Sequence, residues 1–76
     1  MLHARKDYQD LEELEKRIPA REPVFLVRAQ DLIGAATVRS WASMNAAAGG
    51  SAELTQSALQ HAARMDAWPK KKLADK

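Results

Sequence analysis

Glu22-Pro23-Val24-Phe25-Leu26-Val27-Arg28-Ala29-Gln30-Asp31 is the stretch on which the fold turns. Its centre, Val24–Val27, is the one dense run of β-favouring residues in the chain. Bounded by Pro23 and leading to Arg28, it reads as a short strand of about five to seven residues. Alternation places Val24, Leu26, Arg28 and Gln30 on one side and Phe25, Val27 and Ala29 on the other. A helix that opens with Pro23 at its first position is the competing reading, because a run this short has no decisive period. A lone strand leaves its own backbone groups unsatisfied, so the strand reading requires pairing with a copy in a second subunit.

On the N-terminal side, residues 5–18 read as a helix. Tyr8, Leu11, Leu14 and Ile18 recur at helical spacing as a narrow apolar stripe. Asp7 or Asp10 falls in the first turn and Lys16 and Arg17 in the last, an order that suits the helix dipole. Pro19 stops the helix, and residues 19–23 form a turn. The stripe is about one residue wide, closer to a coiled-coil seam than to a core face, and needs a partner.

On the C-terminal side, Asp31 suits the N-cap of a helix over 32–48. Ile33, Ala36, Trp41, Met44 and Ala48 fall near one face, with Leu32, Ala35 and Val38 widening it. Gly34 costs about 1 kcal/mol against alanine there and marks a close backbone approach. Gly49-Gly50 ends the helix, with Gly49 suited to a left-handed position. Ser51 caps a third helix over 52–67 that carries Glu53 in its first turn. Leu54, Ala58, His61, Met65 and Trp68 form its apolar face, and Pro69 stops it. The very short link makes the last two helices an antiparallel hairpin.

The chain has 76 residues and no cysteine, so it reads as a single domain spanning 1–76. A domain of this size buries only about 60% of the surface its unfolded chain exposes. Small scaffolds usually need a disulfide, a metal or a partner subunit. Without cysteine there is no disulfide or thiolate metal site, and His3 and His61 sit in no metal-binding spacing. No cofactor or metal is expected. Alanine supplies 15 of the apolar residues and buries little area at about 25 cal/mol per Å². These considerations point to a homo-oligomer. No stretch approaches the roughly 20 apolar residues that span a bilayer, and MLHARKDYQDLEE lacks an apolar signal core. A cytoplasmic protein is expected.

The formal charge is +2. Residues 70–76 hold four lysines and one aspartate, net +3, which leaves −1 for the rest. The folded part therefore offers no basic face for nucleic acid, and residues 70–76 read as a basic, flexible tail.

Arg28 is the most informative charge. It stands beside Leu26 and Val27, where an unpaired charge is costly. It pairs either with Asp31 or Glu22, or with an anionic ligand that suits its guanidinium fork. Gln30 projects from the same side of the strand, and Asp31 adjoins it. Arg39 on the second helix adds a cation. On the third helix, His61 and Arg64 lie one turn apart; His61 reads either as a hydrogen-bonded core histidine or as a ligand contact. Trp41 and Trp68 read first as packing anchors, although Trp68 beside the lysines has the character of a base-stacking site. No cysteine nucleophile, GxSxG elbow or phosphate-binding glycine loop is present, and no acid/base pair is specified by spacing. The chain reads as a non-enzyme.

The segments Glu22–Asp31, Val38-Arg39-Ser40-Trp41-Ala42 and His61-Ala62-Ala63-Arg64-Met65-Asp66-Ala67-Trp68-Pro69 resemble a group of short phage and prophage proteins, over roughly residues 18–72. Short phage oligomers of this kind include sponges that sequester nucleotide signals of bacterial immune systems. The resemblance implies such a role and carries no site residue with it. The expected fold is mainly α: helix, short strand and helical hairpin, assembled as a homo-oligomer in the host cytoplasm. The expected function is sequestration of an anionic, nucleotide-like molecule at subunit interfaces through Arg28, Gln30, Asp31, Arg39, His61, Arg64 and Trp68. The alternative is a protein- or DNA-interaction module that uses an apolar helical stripe and the basic tail.

Overall fold

The computed structural model describes residues 2–5 and 8–74. Three helices follow in order: α1 (Leu11–Arg17), α2 (Gly34–Ala47) and α3 (Ala52–Ala67). The chain is mainly helical, as its periodicity predicts.

Helix α1 is shorter than the expected 5–18. Asp10 caps it, its side chain accepting from the amides of Glu12 and Glu13. A cap consumes the residue before the first turn, so Tyr8 falls outside the helix and off the expected stripe. Lys16 and Arg17 occupy the last turn; Asp7 lies outside the described residues. Helix α1 makes no close contact with α2 or α3. Leu11 stays exposed while Leu14 and Ile18 are half-buried, so the stripe lacks a helical partner among the described residues.

Helices α2 and α3 form the hairpin. Gly49 has φ 81°, in the left-handed region. The Gly50 amide donates to the Asn45 carbonyl and the Gly49 amide to that of Ala46, the paired bonds that close a helix C-terminus. Ser51 caps α3 by accepting from the Leu54 amide at 3.2 Å. Across the pair, Arg39 is ion-paired with Asp66, and the Asn45 amide donates to the Thr55 hydroxyl at 3.0 Å.

The buried face of α2 differs from the expected one. Gly34, Ala35 and Ala42 are buried, and Val38 packs against the core. Ile33, Trp41 and Met44 are exposed. On α3 the buried residues are Ala58, Ala62 and Met65; Leu54 and His61 are half-buried and Trp68 is exposed. Small side chains let the two backbones approach, and the face that permits this approach wins over the face with the larger side chains. The result is an interior of alanine methyl groups with Met65 as its one large member.

Residues 23–28 form no regular element, and no strand exists among the described residues. Both sequence readings of this run, strand and helix, are unmet in the single chain. A strand needs a ladder partner, and none runs beside it. Only an isolated parallel bridge joins Asp31 to Lys72: Lys72 donates to the Gln30 carbonyl and Leu32 to the Lys72 carbonyl, both at 2.8 Å. Lys71 Nζ donates to the Ala29 carbonyl at 2.8 Å and to the carbonyl of Met65. The first part of the expected flexible tail is thus tied to the segment that enters α2; Asp75 and Lys76 lie outside the described residues.

Asp31 does not cap α2 by the expected geometry. The N-cap position is Ile33, whose side chain has no cap oxygen. Asp31 instead builds the turn ahead of it: its Oδ1 accepts from the Ile33 amide at 3.1 Å and its carbonyl from the Gly34 amide at 2.9 Å. This tight entry brings the Arg28 carbonyl against Gly34. A Cβ at Gly34 would lie 2.6 Å from that oxygen, so the close approach expected of this glycine is present. No helix among the described residues is long and apolar enough to cross a membrane.

Candidate functional site

An open cleft of about 900 Å³ lies where the N-terminal segment, residues 25–30 and one face of the hairpin meet. That volume falls within the range of roughly 300–1,000 Å³ typical of small-molecule sites.

Helix α3 supplies one wall. His61, Arg64, Met65 and Trp68 follow at three, four and seven residues and so share a face. Helix α2 adds Thr37, Val38 and Trp41. The run entering α2 brings Phe25, Arg28 and Gln30. The N-terminal segment adds His3, Arg5 and Tyr8, which cluster around the Tyr8 ring. The Arg5 guanidinium carbon stands 4.2 Å from the Tyr8 ring centroid. The His3 ring meets Tyr8 edge-on at 5.1 Å and lies 6.3 Å from the ring of His61.

Five of the seven residues expected to form a site therefore come together: Arg28, Gln30, His61, Arg64 and Trp68. Two do not. Asp31 is used in the turn before α2 and does not line the cleft. Arg39 is ion-paired with Asp66 and also lies outside it. The expected ion pair of Arg28 with Asp31 or Glu22 is absent among the described residues, where neither the Arg28 nor the Arg64 guanidinium has a hydrogen-bonding or ionic partner. The expected site lay at a subunit interface, whereas this cleft is lined by one chain.

Sequence reasoning missed His3, Arg5, Tyr8 and Phe25 as lining residues and assigned Trp41 to packing. Arg5 and Tyr8 are three residues apart, a spacing that permits a cation–π contact and was the one local signal available. The charge-bearing part of the lining is one-sided: arginines and histidines stand beside aromatic groups and aliphatic ones such as Leu26, Val38 and Leu54, with no carboxylate among the described residues. Such a surface attracts negative charge and presents flat apolar faces beside it. Among the described residues no group of three or more His, Asp or Glu is placed to hold a metal.

Comparison with family models, with curated proteins and with solved structures finds no match to this chain.

Proposed function

We propose that this protein binds an anionic small molecule with an aromatic base, of the nucleotide class, in the cleft between the N-terminal segment and the hairpin. One observation carries this reading: three arginines, two histidines and two tryptophans line the cleft with no carboxylate among the described residues. Arg28 and Arg64 have donors to spare, and a guanidinium matches the two oxygens of a phosphate. Trp41, Trp68 and Tyr8 provide surfaces on which a base stacks. Nothing in the lining requires turnover. Retention without chemistry is the role that the resemblance to phage sponges implies, with the bacterial cytoplasm as its place.

The test is thermal melting with a panel of nucleoside monophosphates, triphosphates and cyclic dinucleotides. At least one class raises the melting temperature of the wild type. A hydrogen bond to a charged group contributes about 1.5–3 kcal/mol, so Arg28→Ala or Arg64→Ala weakens binding roughly ten- to hundredfold. An unshifted wild type across the panel removes the reading. The nucleic-acid alternative makes the opposite forecast: single-stranded DNA is retarded, and deletion of 70–76 abolishes the retardation while Arg28→Ala spares it.

A further inference from the structure

Residues 23–27 make no backbone hydrogen bond among the described residues. Three of the side chains face water: Phe25 is 87% exposed, and Val24 and Leu26 are also open, while Val27 packs against the core. The composition is β-favouring, and nothing among the described residues offers a ladder. We infer that residues 22–28 pair antiparallel with the same residues of a second copy, about a two-fold axis at Phe25.

Three observations converge on this occupant and this register. The first is charge. With the axis at Phe25, Val24 lies opposite the partner's Leu26, and Glu22 opposite the partner's Arg28. Glu22 and Arg28 are exposed and neither has an ionic partner among the described residues. The two-fold operation creates both ion pairs at once, as a self-complementary interface must.

The second is Pro23, which has no amide to donate. In an antiparallel pair, alternate residues are hydrogen-bonded. If the Phe25 pair is a non-hydrogen-bonded one, then Val24 and Leu26 carry the paired ladder bonds, and Pro23 falls where no amide is needed. At the ends the Glu22 amide already donates to the Pro19 carbonyl and the Arg28 carbonyl accepts from Asp31, which leaves the Arg28 amide and the Glu22 carbonyl for the partner. The two Phe25 rings then meet at the closer of the two spacings, the arrangement that favours cross-strand aromatic contact.

The third is area. The chain exposes 6295 Å², against about 4,600 Å² for a compact monomer of its mass. The excess of roughly 1,700 Å² is about two standard interface faces of some 800 Å² each. A ladder of seven residues covers only part of that excess, since a standard face takes roughly 20–30 residues a side.

The test is sedimentation of the full chain at micromolar concentration. The wild type sediments as a dimer or a multiple of two. Leu26→Pro removes a ladder amide that has no partner in the single chain, so it yields monomer while the circular dichroism of the helices is kept. Glu22→Arg alone places like charges opposite each other at two symmetric positions and weakens association roughly tenfold or more. Arg28→Glu alone does the same, and the double swap Glu22→Arg/Arg28→Glu restores the wild-type assembly. A monomeric wild type overturns the inference. So does an assembly that tolerates Leu26→Pro, or a double swap no better than either single change.

Discussion

At Gly34 two residue-scale effects oppose each other. Alanine favours a helix over glycine by about 1 kcal/mol. Here, however, the added methyl meets the Arg28 carbonyl at 2.6 Å, with Met65 Cε and Val27 Cγ1 at 3.2 and 3.3 Å. The carbonyl is backbone and is held by the Asp31 amide at 3.0 Å, so it has little freedom to withdraw. Overpacking costs about 1–3 kcal/mol, which exceeds the propensity gain. Gly34→Ala therefore destabilises the fold, and urea unfolding reads the loss as a lower midpoint. The same substitution should displace Arg28 from the cleft, so on the proposed function nucleotide binding should weaken with it. Gly34, Gly49 and the Ser51 cap were legible in the sequence, because each satisfies a local requirement that its neighbours declare. Asp31 shows the limit of that logic. Its type announced a helix start, yet the chain needed a turn two residues earlier, and the same oxygen served it.

At the scale of elements, the three helices were legible and their faces less so. Fifteen alanines supply apolar positions in every direction, so several stripes on α2 satisfy the same period. Hydrophobic size favoured Trp41 and Met44; close approach favoured Ala35 and Ala42. The hairpin chose approach, and Ala62 and Ala42 have no solvent exposure at all. Ala62→Leu should therefore cost about 1–3 kcal/mol despite adding apolar area, measured as a drop in melting temperature. Arg39→Ala removes only the exposed pair with Asp66 and should cost no more than about 1 kcal/mol. The cleft itself was half legible. His61, Arg64 and Trp68 share a helical face and could be grouped by spacing, and Arg28 stood out as a charge among apolar residues. The contribution of His3, Arg5 and Tyr8 comes from a segment far away in sequence, folded back onto α3. No local period encodes that return.

At the scale of the whole molecule, the radius of gyration is 13.1 Å, against about 11.4 Å for a compact chain of 76 residues. The chain is spread out, with α1 apart from the hairpin and a row of apolar side chains on the outside. The sequence anticipated this shortage of interior through its length and its lack of cysteine. It gave no indication that a cleft of nucleotide size would form within one chain. The two readings meet at Phe25, Leu26, Val27 and Arg28, which belong both to the edge at residues 22–28 and to the lining of the cleft, whereas His61, Arg64 and Trp68 belong to the cleft alone. If the chain associates, its melting temperature rises with protein concentration, and that rise survives Arg64→Ala while disappearing in Leu26→Pro.

An interior of methyl groups also sets how the protein responds to temperature. Unfolding raises the heat capacity chiefly by wetting apolar surface, by about 0.9–1.1 kcal/mol/K for an ordinary domain of 76 residues. Ala35, Ala42, Ala58 and Ala62 offer little such surface. Scanning calorimetry of the Leu26→Pro chain should return an increment below that range, with a flat stability curve and low melting enthalpy. If the chain associates, the wild type should return a larger one, since its denaturation then also wets the surface between copies.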